Sequence, residues 1–192
     1  MRPRHPAALC LAAALALLTA NAANAEDDRT APSEVLRHWN AAGDRASHFD
    51  WAGAVAELDT VLAARPNEPL ALTMRGDMNL RLQHWPQADA DFSRAIELYG
   101  SDKRAARPLM QRSQLRQRSQ PDASLADMER AISVDPDYAD ARYVHAAALW
   151  QRGQNTAALA ESDRSIALDP APGLYHQMRG LILEATGDLS GA

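Results

Sequence analysis

The residues able to do chemistry are few, and their spacing does not bring them together. Beyond the first 25 residues stand five histidines: His38, His48, His84, His145 and His176. Two imidazoles can share a metal on one helix face only at a spacing of three or four, and no pair here has it. They read as single surface or inter-helix side chains. The sequence has no G-x-S-x-G elbow, no phosphate-cradling glycine loop and no H-E-x-x-H pair. Gly187-Asp188-Leu189-Ser190-Gly191 holds serine and glycine, but at the spacing of a helix joint. Carboxylate pairs such as Asp89 with Asp91, or Asp137 with Asp140, read as solvated helix faces and caps. The expectation is a non-enzyme, with no catalytic residue, cofactor or metal. What remains is recognition chemistry: tryptophan, tyrosine and arginine, the types enriched where proteins grip one another.

These residues ride on elements with a common rhythm. Four segments end alike: Val61-Leu62-Ala63-Ala64-Arg65-Pro66, Ala95-Ile96-Glu97-Leu98-Tyr99-Gly100, Ala131-Ile132-Ser133-Val134-Asp135-Pro136 and Ser165-Ile166-Ala167-Leu168-Asp169-Pro170. Their last residues are 34, 36 and 34 apart (100−66, 136−100, 170−136). Self-similarity at that period is the mark of a repeat array. Ahead of each ending, small and apolar residues recur at i, i+4, i+7 and i+8, as in Ala54, Leu58, Val61, Leu62 and in Ala88, Phe92, Ala95, Ile96. That is one face of an α-helix. A second helical stretch precedes each, over Ser33–Ser47, Pro69–Leu82, Arg107–Arg118, Asp137–Arg152 and Pro172–Thr186. Asp50, Pro86, Gly153 with Asn155, and Gly187-Asp188 punctuate the joints. Ser119 with Asp122 predicts a capping box. No stretch keeps a period of two, so no sheet is expected.

The pattern resembles the tetratricopeptide repeat, a 34-residue helix–turn–helix with W-x2-L-G-x2-Y…A-x3-F…P. Pro69–Asp102 matches best, with Gly76, Ala88, Phe92 and Ala95 in the small and aromatic slots and Gly100 in place of proline. Val35–Glu68 supplies Ala42, Ala54, Leu58 and Pro66; Ala139–Pro172 supplies Ala146, Ala158, Asp169 and Pro170. The third repeat departs most: Arg112 stands in the glycine slot, Ser124 in the alanine slot, and two extra residues fall within Ser101–Arg104. The resemblance implies an all-α, right-handed solenoid of about four full repeats and a truncated fifth. Its boundaries are 35–68, 69–102, 103–138, 139–172 and 173–192, after a leader over 1–25 and a linker over 26–34. Small slots such as Gly76 and Ala88, or Ala146 and Ala158, let the two helices of a repeat close on each other. Trp51 and Trp85, 34 apart, are expected to be structural wedges.

The leader has Arg2 and Arg4, then a 14-residue apolar run, Ala7–Ala20, broken only by Thr19, then Ala23-Asn24-Ala25. That is the form of a cleaved export signal, too short to span a bilayer, which needs about 20 residues. The only cysteine, Cys10, falls inside it. Without Arg2 and Arg4, 18 bases face 25 acids, a net charge near 18−25 = −7. An acidic chain without basic blocks argues against nucleic acid.

By the family's slots, first helices line a concave face that binds segments of other proteins. Here that face would present Trp39, Thr73, Asp77, Arg81, Arg116, Tyr143, Trp150 and Gln151, with Leu80, Leu109, Ser113, Gln117 and Ala147 between them. The lysines and asparagines with which some members clamp a terminal carboxylate are replaced by Trp39, Gly43, Met74, Ala106 and Met110, so an internal segment or folded surface is the expected partner. The expected role is a periplasmic or secreted scaffold for another protein, without a membrane span. The alternative is the front of a larger exported protein or enzyme, because Ala192 stands where a fifth second helix begins. Self-association through an uncapped Leu181-Ile182-Leu183 end is a further expectation.

Overall fold

The computed structural model describes residues 32–187. The expected leader, and the start of a fifth second helix after Gly187, lie outside those residues. Nine α-helices and no strand occur among the described residues. They are α1 (Pro32–Ser47), α2 (Trp51–Ala64), α3 (Pro69–Arg81), α4 (Trp85–Tyr99), α5 (Ala106–Arg116), α6 (Pro121–Val134), α7 (Ala139–Gln151), α8 (Asn155–Leu168) and α9 (Gly173–Thr186). A 3-10 turn, Lys103–Ala105, absorbs the two extra residues before α5. Every predicted helix is present, and proline opens α1, α3 and α6, where its missing N–H costs nothing.

The chain forms two compact units, one ending at Asp91 and the other beginning at Phe92. In the first, α2 packs on α1 and on α3, with Ala42, Ala54, Leu58 and Ala71 fully buried. In the second, α5 packs on α6, α6 on α7, α7 on α8 and α8 on α9. Leu149, Ala158, Met178 and Ile182 form a core cluster there, and Tyr143, Ala147, Trp150 and Leu159 pack against it. Ala146 and Ala158, the small slots of the fourth repeat, are both fully buried, as is Ala88 in the second, where Gly76 is buried too.

The joints inside the repeats share a backbone device. Phe49, Gln83, Gly153 and Gly187 all take positive φ, at 63°, 61°, 74° and 77°. They stand in one repeat slot (83−49 = 34, 187−153 = 34). In the first two, the next amide bonds back to a carbonyl five residues earlier, Asp50 N–H to Arg45 O at 2.9 Å and His84 N–H to Asn79 O at 2.9 Å; Gln154 does the same to Leu149. That is the Schellman closure of a helix end. Ser119 occupies the slot in the third repeat and does not adopt it: Gln120 N–H bonds Arg116 O instead, at 2.7 Å. The expected capping box at Ser119 does not form. Gln120 is the N-cap of α6 and makes no side-chain cap bond, so Ser119 lies one residue too early to reach the helix amides. Asp50 does cap α2, accepting from Gly53 N–H at 2.9 Å.

Candidate functional site: the first-helix face

Of the residues expected to line a binding face, Trp39, Thr73, Asp77 and Arg81 belong to the first unit and Arg116, Tyr143, Trp150 and Gln151 to the second. Two of the first group are withdrawn from solvent. Thr73 is 2% exposed, its hydroxyl donating to Pro69 O one turn back at 2.8 Å, and Asp77 is 8% exposed. Residues 71–74 and 76–79 of α3 are all buried, so that helix has almost no face left to offer. Trp39 is half-buried and Arg81 exposed. Leu80 is half-buried.

In the second unit, Leu109 and Ser113 are buried, which removes them from the expected face. Ser113 explains how the third repeat tolerates Ser124 in an alanine slot. Ser113 Oγ donates to Ser124 O and Ser124 Oγ to Ser113 O, both at 2.8 Å, so two buried hydroxyls satisfy each other across the crossing of α5 and α6. Arg116 lies 3.7 Å from Asp127 and is largely covered, a structural cation rather than a free anchor.

What stays on the surface is a strip on α7. Tyr143, Ala147 and Trp150 are half-buried, spaced four and three apart, and Gln151 is exposed. Each aromatic is braced from behind. Tyr143 stacks on Tyr175 of α9 at 5.2 Å between ring centroids, and Trp150 lies on the Leu149–Met178–Ile182 core. Tyr175 is itself fixed by its hydroxyl, which donates to Asp140 Oδ1, and burial pushes its ionisation well above the usual tyrosine range. Gln117 Nε2 donates to Gln151 Oε1 at 2.9 Å, holding the last turns of α5 and α7 side by side. Ala147 is the small residue between the two rings on this face, and the Gln117–Gln151 amide pair lies at its C-terminal end.

Sequence reasoning missed a constellation with the same rhythm. Glu57, Asp91, Asp127 and Glu161 occupy one slot of successive second helices (91−57 = 34, 127−91 = 36, 161−127 = 34), and each is held by a base from the first helix of its own repeat. Glu57 pairs with His38 at 2.6 Å and Arg45 at 3.1 Å. Arg75 holds Asp91 through two bonds, 2.6 and 3.0 Å, and Asn79 adds a third at 3.3 Å. Arg112 grips Asp127 at 2.8 and 2.5 Å, and Arg142 meets Glu161 at 2.8 Å. The bond from His38 is the main reason that the Glu57 carboxyl titrates below the usual range. Asp91, expected on a solvated face, is 5% exposed, because Arg75 and Asn79 replace its water. The 34–36–34 spacing of acids was the available signal. Arg112 in a glycine slot thus supplies the ion pair of the weakest repeat.

Trp85, expected to be a structural wedge, is 47% exposed. Trp51 is half-buried and meets the edge of Phe49 at 5.5 Å. Among the described residues no group of three or more His, Cys, Asp or Glu could hold a metal, and no helix is long and apolar enough to cross a membrane.

The comparison with solved structures decides the architecture. MamA (residues 41 to end) from Desulfovibrio magneticus RS-1 superimposes with a TM-score of 0.69, at 18% identity, over 83% of this chain and 89% of that one. YrrB, described as a TPR protein with an unusual peptide-binding site, gives 0.61 at 16% identity over 90% and 84%. The first TPR of Spaghetti (RPAP3), bound to the HSP90 peptide SRMEEVD, gives 0.57 at 15% over 62% and 94%. The chain has the tetratricopeptide-repeat fold. A scan of protein families and a search of curated proteins returned no match. At identities below one fifth, the tetratricopeptide likeness speaks for the fold, and the surface residues must speak for the function.

Proposed function

We infer that this tetratricopeptide-fold protein is a non-enzymatic scaffold that binds a segment of another protein along the first-helix side of its second unit. The observation that carries this reading is the α7 strip: two braced aromatics flanking Ala147, with the Gln117–Gln151 amides at its edge. Rigid rings offer large contact area at little entropic cost, and amides can bond the backbone of an extended chain. YrrB, with its unusual peptide-binding site, and the Spaghetti repeat, bound to an HSP90 peptide, share the fold and support the reading by analogy. The leader-like residues 1–25 support a periplasmic or secreted location.

The test is affinity capture of the partner with wild type and with Ala147→Arg. Arginine there puts a long charged side chain between Tyr143 and Trp150 and should lower capture at least tenfold, about 1.4 kcal/mol, with helical circular dichroism unchanged. Undiminished capture by a folded Ala147→Arg protein would remove the α7 strip as the binding face.

A further inference from the structure

Arg75 and Arg179 stand in one slot of the first helices, 104 residues apart, which is 34+36+34. Each reaches back 16 residues to an acid on the preceding second helix: Arg75 to Asp59 at 2.7 Å, Arg179 to Asp163 at 2.7 Å. Arg75 also reaches forward 16 residues to Asp91. The fourth repeat has His145 in this slot (179−145 = 34). Its acids are in place at the same offsets, Glu129 on α6 and Glu161 on α8 (145−16 = 129, 145+16 = 161). The imidazole makes no hydrogen bond or ion pair with either. His145 Nδ1 is shut off from solvent with no hydrogen-bond partner.

The charged groups around it are accounted for on every packed element. Glu129 faces it from α6 and Glu161 from α8, both favouring a cation, and Arg142 on α7 itself opposes one. Arg142 and Arg164 already engage Glu161, at 2.8 and 3.3 Å. On α5, Arg112 and Arg116 are turned to Asp127, and on α9 Arg179 is turned to Asp163. Burial is the largest influence and holds the imidazole below its ordinary range, so the packed protein keeps it neutral.

We propose that His145 is an acid sensor built into the α6–α7–α8 joint: taking up a proton there loosens α7 from its neighbours, and with it the strip that carries Tyr143 and Trp150. The sign follows from linkage. The unfolded imidazole titrates near 6.5 and the packed one lower, so stability is whole above about pH 6.5 and declines as pH falls below it. The control of binding rests on the proposed α7 site; the loosening does not.

The experiment titrates the His145 ring by NMR in the full chain. It also compares melting temperatures at pH 7.5 and 5.5 for wild type, His145→Gln and His145→Arg. The ring should titrate below 6.5. Wild type should lose about 2–4 °C more than His145→Gln across that interval. His145→Arg, able to reach Glu129 and Glu161 as Arg75 reaches its two acids, should also escape the extra loss. A ring titrating at or above 6.5, or equal losses in wild type and His145→Gln, overturns the sensor. Loosening at pH 5.5 with partner capture undiminished would overturn only the control of binding.

Discussion

A carboxylate taken out of water is stable only while its cation stays beside it. Asp127 is the sharpest instance, since Arg112 grips both of its oxygens and both side chains are largely buried. Arg112→Ala should therefore cost about 3 kcal/mol, because it leaves the buried carboxylate only the more distant Arg116, 3.7 Å away. Arg112→Met combined with Asp127→Leu should cost much less, since the charge to be desolvated has gone. Urea unfolding of the two proteins checks this; equal losses would mean that Asp127 is solvated in spite of its burial. The acids of this slot were legible in the sequence, for they keep the 34–36–34 rhythm. Their bases were not. The offsets from acid to base run 12, 16, 15 and 19 (57−45, 91−75, 127−112, 161−142), because an arginine is long enough to reach one spot from several turns of a helix.

Helix ends and helix crossings set the next level. The positive-φ slot of the joints admits glycine freely and charges other residues for their Cβ. Gly153→Ala should cost about 1 kcal/mol, and Gln83→Gly, at the same slot, should gain up to about 1 kcal/mol, both read by thermal unfolding. A neutral Gly153→Ala would mean that the joint can close without a left-handed residue, as the third repeat does at Ser119. At the crossings, Ala158 is fully buried against α7, and Ala158→Leu should overpack that contact by about 1–3 kcal/mol. Helix existence and order were readable from periodicity, since each element shows several turns of the pattern. The third joint was not, because one serine decides between two closures of nearly equal length.

Across a whole unit, the packing is local. In the second unit the substantial helix contacts join neighbours in sequence or helices two apart: α5 with α6 and α7, α7 with α8 and α9. In such an array stability is close to a sum of repeat terms and nearest-neighbour terms, so damage at one place need not spread. The same locality explains what the sequence left hidden. Repeat slots tell which residues face a neighbouring helix, but not how completely the neighbour covers them, and so Ser113 and Leu109 were expected on a face from which packing withdraws them. Tyr143 and Trp150 pack against α9 side chains yet stay half-buried, and Gln151 stays exposed. Locality makes a prediction of its own. Arg112→Ala should abolish slow amide hydrogen exchange in α5 and α6 while lowering it far less in α8 and α9, which share no substantial contact with α5. A uniform loss from α5 to α9 would show instead that the unit opens as one cooperative block. The α7 strip could then not be loosened by itself, and proton uptake at His145 would have to unfold every helix of the unit to change the binding face.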